Sequence, residues 1–213
     1  MNKIRAVIFD MDGVIINSEQ IHVMAENFVL NKYGIFPTEK EWDSFKGKTS
    51  AGIFSQIIIE HHIEGISVEY LTGEKVDKFL EMMLAADIEL FDGLVDLIND
   101  LSVRFSLALS TSSHSRIQKV IFDRFDLHKY FSVVVTGDMI KIGKPDPEPY
   151  LLAIDKLGVP ADSCVVIEDS VNGVASAKSA GAKVVAVTHS FSANMLHQAD
   201  VIVDSLSAIR EIF

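Results

Sequence analysis

Short runs of consecutive apolar residues recur along this chain, each too short to be a helix. They occupy residues 6–9, 107–110, 133–136, 165–167 and 184–187, with a sixth at 201–203. The runs are continuous and not alternating, which predicts strands buried on both faces of a parallel sheet. The sixth is short enough to be an edge strand. Between them, residues 93–101, 115–122, 147–157 and 173–180 form helical stretches of crossover length. Strands alternating with helices predict an α/β fold built on a doubly wound parallel sheet.

The alternation breaks once, after the first strand. Ile21, Met24, Ala25, Phe28 and Val29 share one helical face, as do Val76, Phe79, Leu80 and Met83, and Ile53, Phe54, Ile57 and Ile58 mark a third helix over 51–62. Residues 17–86 are therefore expected to form a helical domain inserted into a core made of 1–16 and 87–213. The two connections, near 16–17 and 88–91, are hinge candidates. The dinucleotide fingerprint G-x-G-x-x-G is absent from the sequence, which argues against a nicotinamide or flavin enzyme.

Charge narrows the partners. The chain carries 30 acidic and 19 basic residues, a formal net charge of −11. Such a balance repels nucleic acid and anionic lipid, so neither is an expected partner. An anionic substrate would need a site made locally positive by a lysine, backbone amides or a metal. The single cysteine, Cys164, lies in a strand-like run and is expected in the core, without an intrachain disulfide. The first residues lack the apolar region of a signal peptide, and no apolar run approaches the ~18 residues of a membrane span. A cytoplasmic protein is expected.

In an open parallel sheet, ligands bind beyond the carboxyl ends of the strands. Four of the runs are followed there by chemistry-bearing residues: Asp10-Met11-Asp12-Gly13, Thr111-Ser112-Ser113, Gly143-Lys144-Pro145-Asp146-Pro147 and Glu168-Asp169-Ser170. Asp10 and Asp12, two apart, would face the same side of a strand, where a cation must neutralise them or one must carry a proton. Such a pair suits nucleophilic attack on phosphorus with a neighbouring acid and base, and Gly13 lets the chain turn away. Glu168 and Asp169 suit a hard cation such as magnesium. Each piece has a plainer explanation as well: a capped turn, a helix N-terminus, a surface lysine. Their convergence on one sheet edge favours a phosphoryl-transfer site.

Phe9-Asp10-Met11-Asp12-Gly13-Val14, Ala108-Leu109-Ser110-Thr111-Ser112-Ser113, Gly143-Lys144-Pro145-Asp146-Pro147-Glu148 and Ile167-Glu168-Asp169-Ser170-Val171-Asn172-Gly173 together resemble the haloacid dehalogenase superfamily over essentially the whole chain. The resemblance implies a Rossmann-like core with an inserted helical cap, and residues 14–19 followed by His22 look like its hinge. It implies Asp10 as nucleophile and metal ligand, Asp12 as acid/base and metal ligand through its carbonyl, and Thr111 and Lys144 on the phosphoryl group. Asp169, with Glu168 beside it, would complete a Mg²⁺ site. Substrate contacts are implied for Gly13, Ser112 and His22, and for Gly47, Lys48 and Ser50 in the cap loop.

Within the superfamily the chain is similar to the β-phosphoglucomutase-like group, which includes sugar-phosphate phosphatases. Phe45-Lys46-Gly47-Lys48-Thr49-Ser50 matches the cap's specificity loop, but Ser50 stands where the mutase has an arginine for the distal phosphate of a bisphosphate. Serine offers no bidentate charge there, and Asn17 replaces the more usual hinge aspartate. The leading expectation is a phosphatase of a small phosphorylated sugar or related metabolite. A β-phosphoglucomutase is the runner-up and a non-catalytic phosphometabolite-binding protein is third; a monomer is expected, with a dimer as the alternative.

Overall fold

The computed structural model describes residues 3–213; residues 1 and 2, where the expected core begins, lie outside the described residues. The six strands are β1 (Ala6–Phe9), β2 (Ser106–Ser110), β3 (Phe131–Val135), β4 (Cys164–Glu168), β5 (Lys183–Val187) and β6 (Val201–Val203). They form one sheet in the order β3-β2-β1-β4-β5-β6, and every pairing is parallel. Alternate residues of β1 enter different cores, as a strand's two-residue period requires: Val7 and Phe9 pack on one face, Ala6 and Ile8 on the other. The first face is covered by α5 (Leu94–Ser102), α6 (Ser115–Phe125) and α9 (Leu206–Ile209), the second by α7 (Glu148–Leu157) and α8 (Val171–Ser179). The doubly wound expectation holds, with β6 at the edge. Cys164 is fully buried in the second core.

Strand β3 starts two residues earlier than its apolar run. Ser132 interrupts that run, and its hydroxyl donates to the Leu107 carbonyl at 3.1 Å, where the β2–β3 register shifts. Phe131 beyond it still pairs with Leu107 and is buried.

The stretch between β1 and β2 holds α1 (Glu19–Asn31), α2 (Glu39–Phe45), α3 (Ser50–Glu60) and α4 (Val68–Ala85). Periodicity predicts three of these; α2 is additional. Its start is a capping box, Thr38 with Glu41, a T-x-x-E signal visible in the sequence. Val29, Leu30, Phe45, Phe54, Ile57 and Leu71 make a separate cluster within these helices. Ile21, Ala25, Val76, Phe79 and Met83, by contrast, join the core on the first face of the sheet. The two connecting segments lie side by side, with a bridge between Ile16 and Leu90 and a bond from the Phe91 amide to the Ile15 carbonyl at 3.1 Å.

Among the described residues no helix is long and apolar enough to cross a membrane.

Candidate active site

Strand order reverses beside β1, which has β2 on one side and β4 on the other. At the carboxyl ends of those strands sit Asp10, Thr111, Glu168 and Asp169, the place where an open α/β sheet leaves a crevice. Lys144, on the loop between β3 and α7, is buried among them. Its Nζ donates to Asp10 Oδ1 and to Glu168 Oε1, both at 2.7 Å. Tyr150 Oη donates to the same Glu168 oxygen at 2.8 Å. The other oxygen, Oε2, accepts from the amides of Asp169 and Ser170 at 2.8 Å and from Ser170 Oγ at 3.0 Å. Glu168 thus accepts from five donors.

Three clustered carboxylates, two of them paired with one ammonium, leave excess negative charge. Oxygens of Asp10, Glu168 and Asp169 all lie within 4.8 Å of one another. Burial pushes Asp10 up to about 8, with Glu168 and Asp12 adding to the shift and Lys144 opposing it. Asp169 is raised well above the carboxylate range by burial and by its neighbours Glu168 and Asp10, despite a bond from Ser190 Oγ. Glu168 goes the other way: burial would raise it, but Lys144 and the hydrogen bonds hold it below its ordinary value. Two buried acids that resist ionisation beside an ionised third are an all-oxygen donor set of the kind a hard divalent cation neutralises.

Asp12 has a different environment. Burial would raise it, but His22 and the Ser18 and Ser113 hydroxyls hold it far below the usual carboxylate range. Its Oδ1 accepts from Ser18 Oγ at 2.5 Å and meets His22 Nε2 at 2.9 Å, while Oδ2 accepts from Ser113 Oγ at 2.7 Å and Thr111 Oγ1 at 3.4 Å. Ser18 occupies the N-cap position of α1, yet its hydroxyl makes no cap bond because it is turned to Asp12. Behind His22, the Lys75 ammonium lies 2.7 Å from Nδ1. An ammonium only donates, so Nδ1 accepts and the proton sits on Nε2, facing Asp12.

The helices of the insertion roof a cleft of about 640 Å³, open mouth included, lined by Asp10, Asp12, His22, Lys48, Ser50 and Asp169 among others. The roof is seated on the sheet domain. Ser112 Oγ donates to the Gly47 carbonyl at 2.7 Å, and Asn172 Nδ2 donates to the Lys46 carbonyl at 2.7 Å. Gly47, at φ +79°, comes so close that a Cβ there would lie 2.5 Å from Ser170 Oγ.

Every residue expected at the site lies in or beside this cleft, but several carry different bonds from those foreseen. Ser112 ties the roof down with the hydroxyl expected to hold substrate. Ser50 donates to Glu26 Oε1 at 3.1 Å, and Lys48 Nζ donates to Gln56 Oε1 at 3.3 Å. Glu26, Lys75, Tyr150 and Ser190 were not foreseen, whereas Ser18 lay in the expected hinge and Ser113 in the expected run Thr111-Ser112-Ser113, neither with its bond to Asp12. Of the unforeseen four, Glu26 and Lys75 left a trace in the sequence, as charges set into the apolar faces of α1 and α4.

Gly13 has φ +88°, and a Cβ on it would fall 1.9 Å from Asp169 Oδ2. Gly13→Ala is therefore expected to push the Asp169 carboxylate aside and to strain the turn. A displacement of that size should lower kcat/KM about 10²-fold and weaken divalent-cation binding, read by steady-state kinetics and calorimetry.

The sequence matches the haloacid dehalogenase-like hydrolase family model over residues 7–187. A phosphorylated carbohydrates phosphatase of Thermotoga maritima is 36% identical over 191 residues, covering 87% of this chain and 86% of that protein. Escherichia coli fructose-1-phosphate phosphatase YqaB is 33% identical over 175 residues, covering 82% of this chain and 92% of that one. The crystal structure of β-phosphoglucomutase from Clostridium difficile superposes with a TM-score of 0.86 at 25% identity, covering 98% of this chain and 96% of that chain.

Proposed function

Because the chain belongs to the haloacid dehalogenase-like hydrolase family and is an enzyme acting on phosphate esters, we propose that it is a magnesium-dependent phosphatase of small phosphorylated sugars or related metabolites, working through an aspartyl phosphate. The observation that carries this reading is the buried cluster of Asp10, Glu168 and Asp169, with the ammonium of Lys144 paired to Asp10 and Glu168. Residues 17–86 act as the cap, hinged at 16–17 and 88–91. The lone, buried thiol of Cys164 suits the cytoplasm.

Asp10 is the nucleophile, with one oxygen held by Lys144. Its attack on phosphorus breaks the ester bond, and the departing oxygen takes a proton from Asp12. Asp12 then takes a proton from water, whose oxygen attacks the same phosphorus and frees Asp10 and inorganic phosphate. In the free protein Asp12 is held as the carboxylate that the second step requires. An anionic phosphate arriving beside it raises its proton affinity toward the form the first step requires. Thr111 and Lys144 steady the phosphoryl group. Asp10 and Asp169, together with the Asp12 carbonyl, would hold magnesium. Glu168, with both oxygens engaged, keeps Lys144 and the 169–170 backbone in position. Magnesium, when bound, neutralises this carboxylate cluster and polarises the phosphate.

The test is phosphate release from a panel of sugar phosphates with magnesium. Conversion of β-glucose 1-phosphate to glucose 6-phosphate without phosphate release, given a bisphosphate primer, would replace the phosphatase with a mutase.

The titration of Asp10 supplies a further check. Its folded value, about 8, lies above the unfolded value of 3.8, so the folded metal-free protein binds the extra proton between them. Stability from this group is present below the unfolded value and lost as pH rises through about 8. Metal-free protein should thus lose thermal stability from pH 6 to 8.5, and magnesium should restore it. Magnesium binding should also release protons, measured by calorimetry in buffers of different ionisation enthalpy.

A further inference from the structure

The phosphate end of the cleft is accounted for; its cap end holds a group with no part in the chemistry above. Glu26, on α1, is 5% exposed and lines the cleft. Its Oε1 accepts from Ser50 Oγ at 3.1 Å and faces Lys75 Nζ at 3.6 Å. Its Oε2 has no protein hydrogen-bond partner among the described residues. A carboxylate oxygen on a residue that lines a binding cleft, left without a protein donor, can accept from a ligand that brings one.

The donor's chemistry follows from the charges around it. Lys75, itself 2% exposed, stands beside Glu26 and would repel a ligand ammonium there. A second phosphate or a carboxylate would meet Glu26 and, along the same wall, Glu19. Of the remaining lysines of the wall, Lys46 pairs with Asp43 at 3.0 Å, and Lys48 is turned to Gln56 of α3. A neutral hydroxyl fits on every count. One can donate to Glu26 Oε2, and its neighbour can donate to Ser50 Oγ, whose own proton is already given to Glu26. Trp42, Phe45 and Ile53 supply an apolar wall for the C–H face of a polyol.

We propose that Glu26, Ser50 and Lys75 form a hydroxyl-reading subsite that selects phosphate monoesters with a neutral, hydroxyl-bearing far end over esters carrying a second anionic group. This rests on the reading of the cleft as a phosphate-ester site. It places the discrimination against bisphosphates in Glu26 as well as in the serine at position 50.

Binding tests it without turnover. The Asp10→Asn protein, with magnesium, is titrated calorimetrically with glucose 6-phosphate, sorbitol 6-phosphate, fructose 1,6-bisphosphate and 3-phosphoglycerate. The two neutral-ended ligands should bind about tenfold or more tighter than the doubly anionic pair. Adding Glu26→Gln, which keeps the shape and an acceptor for Ser50, should reduce that preference at least about fivefold, chiefly by tightening the anionic ligands. Equal affinities before the change would overturn the proposal. So would a uniform loss across all four ligands in the Glu26→Gln protein, which would mark Glu26 as structural. Wild-type phosphate release from p-nitrophenyl phosphate is measured alongside. Selective binding without release keeps the subsite and sinks the phosphatase, while release without selectivity does the reverse.

Discussion

Asp10→Asn is expected to abolish phosphate release, with kcat falling about 10³-fold or more, while the protein stays folded. The two side chains are nearly isosteric, so the loss reports chemistry and not packing. An amide oxygen cannot form the acyl phosphate, and the acid/base and phosphate-holding groups do not replace a missing nucleophile. Stability should move in the opposite direction to activity at alkaline pH. The native carboxyl, pushed up to about 8 by burial, becomes an unwelcome charge as pH rises, and the amide never does. The variant's melting temperature should therefore be flatter between pH 6 and 8.5 than the wild type's when metal is absent. Activity retained in Asp10→Asn would remove the covalent mechanism altogether.

Lys144→Met is expected to damage both stability and catalysis. The ammonium bridges Asp10 and Glu168 at 2.7 Å each, in a place where neither acid reaches solvent freely. Burial alone would lower the lysine's proton affinity, but the two carboxylates raise it above its ordinary value, so the charge is firmly held. Methionine keeps the volume and removes the charge. Breaking a buried pair from one side costs about 3–5 kcal/mol, which for a domain of this size is a melting-temperature drop of about 6–20 °C. Saturating magnesium should recover part of that drop, and should raise the melting temperature of the variant more than that of the wild type. Activity should fall about 10²–10³-fold, since a fixed positive charge beside the transferring group is lost. An unchanged melting temperature, measured calorimetrically with and without magnesium, would show that the carboxylates do not depend on Lys144.

Much of this was legible in one dimension. A parallel strand covered on both faces must be apolar throughout, so β1, β4 and β5 appear as unbroken runs whatever surrounds them. Ligands collect at carboxyl ends, so the residues after each run were the ones to examine. Asp10, Glu168 and Asp169 follow such runs directly and Lys144 after a spacer, and it was their convergence, with the superfamily resemblance, that singled them out. Helix α2 was recoverable from Thr38 and Glu41, whereas the early start of β3 was hidden by Ser132, whose hydroxyl is satisfied across the sheet.

The sequence by itself determined the alternation of strands and helices, the inserted helical segment and the four polar strand ends, because periodicity and punctuation act over a few neighbouring residues. Only the tertiary structure decided which polar groups meet. Ser18, His22 and Ser113 converge on Asp12 from separate segments and hold it ionised, while Asp10, two residues away, is pushed toward its protonated form. Lys75 reaches His22 and Glu26 because α4 packs along α1, with Glu26 meeting Ser50 of α3 on its other side. Hydrogen bonding and charge act through space over a few ångströms, and residues that far apart in the chain are brought within that range only by packing.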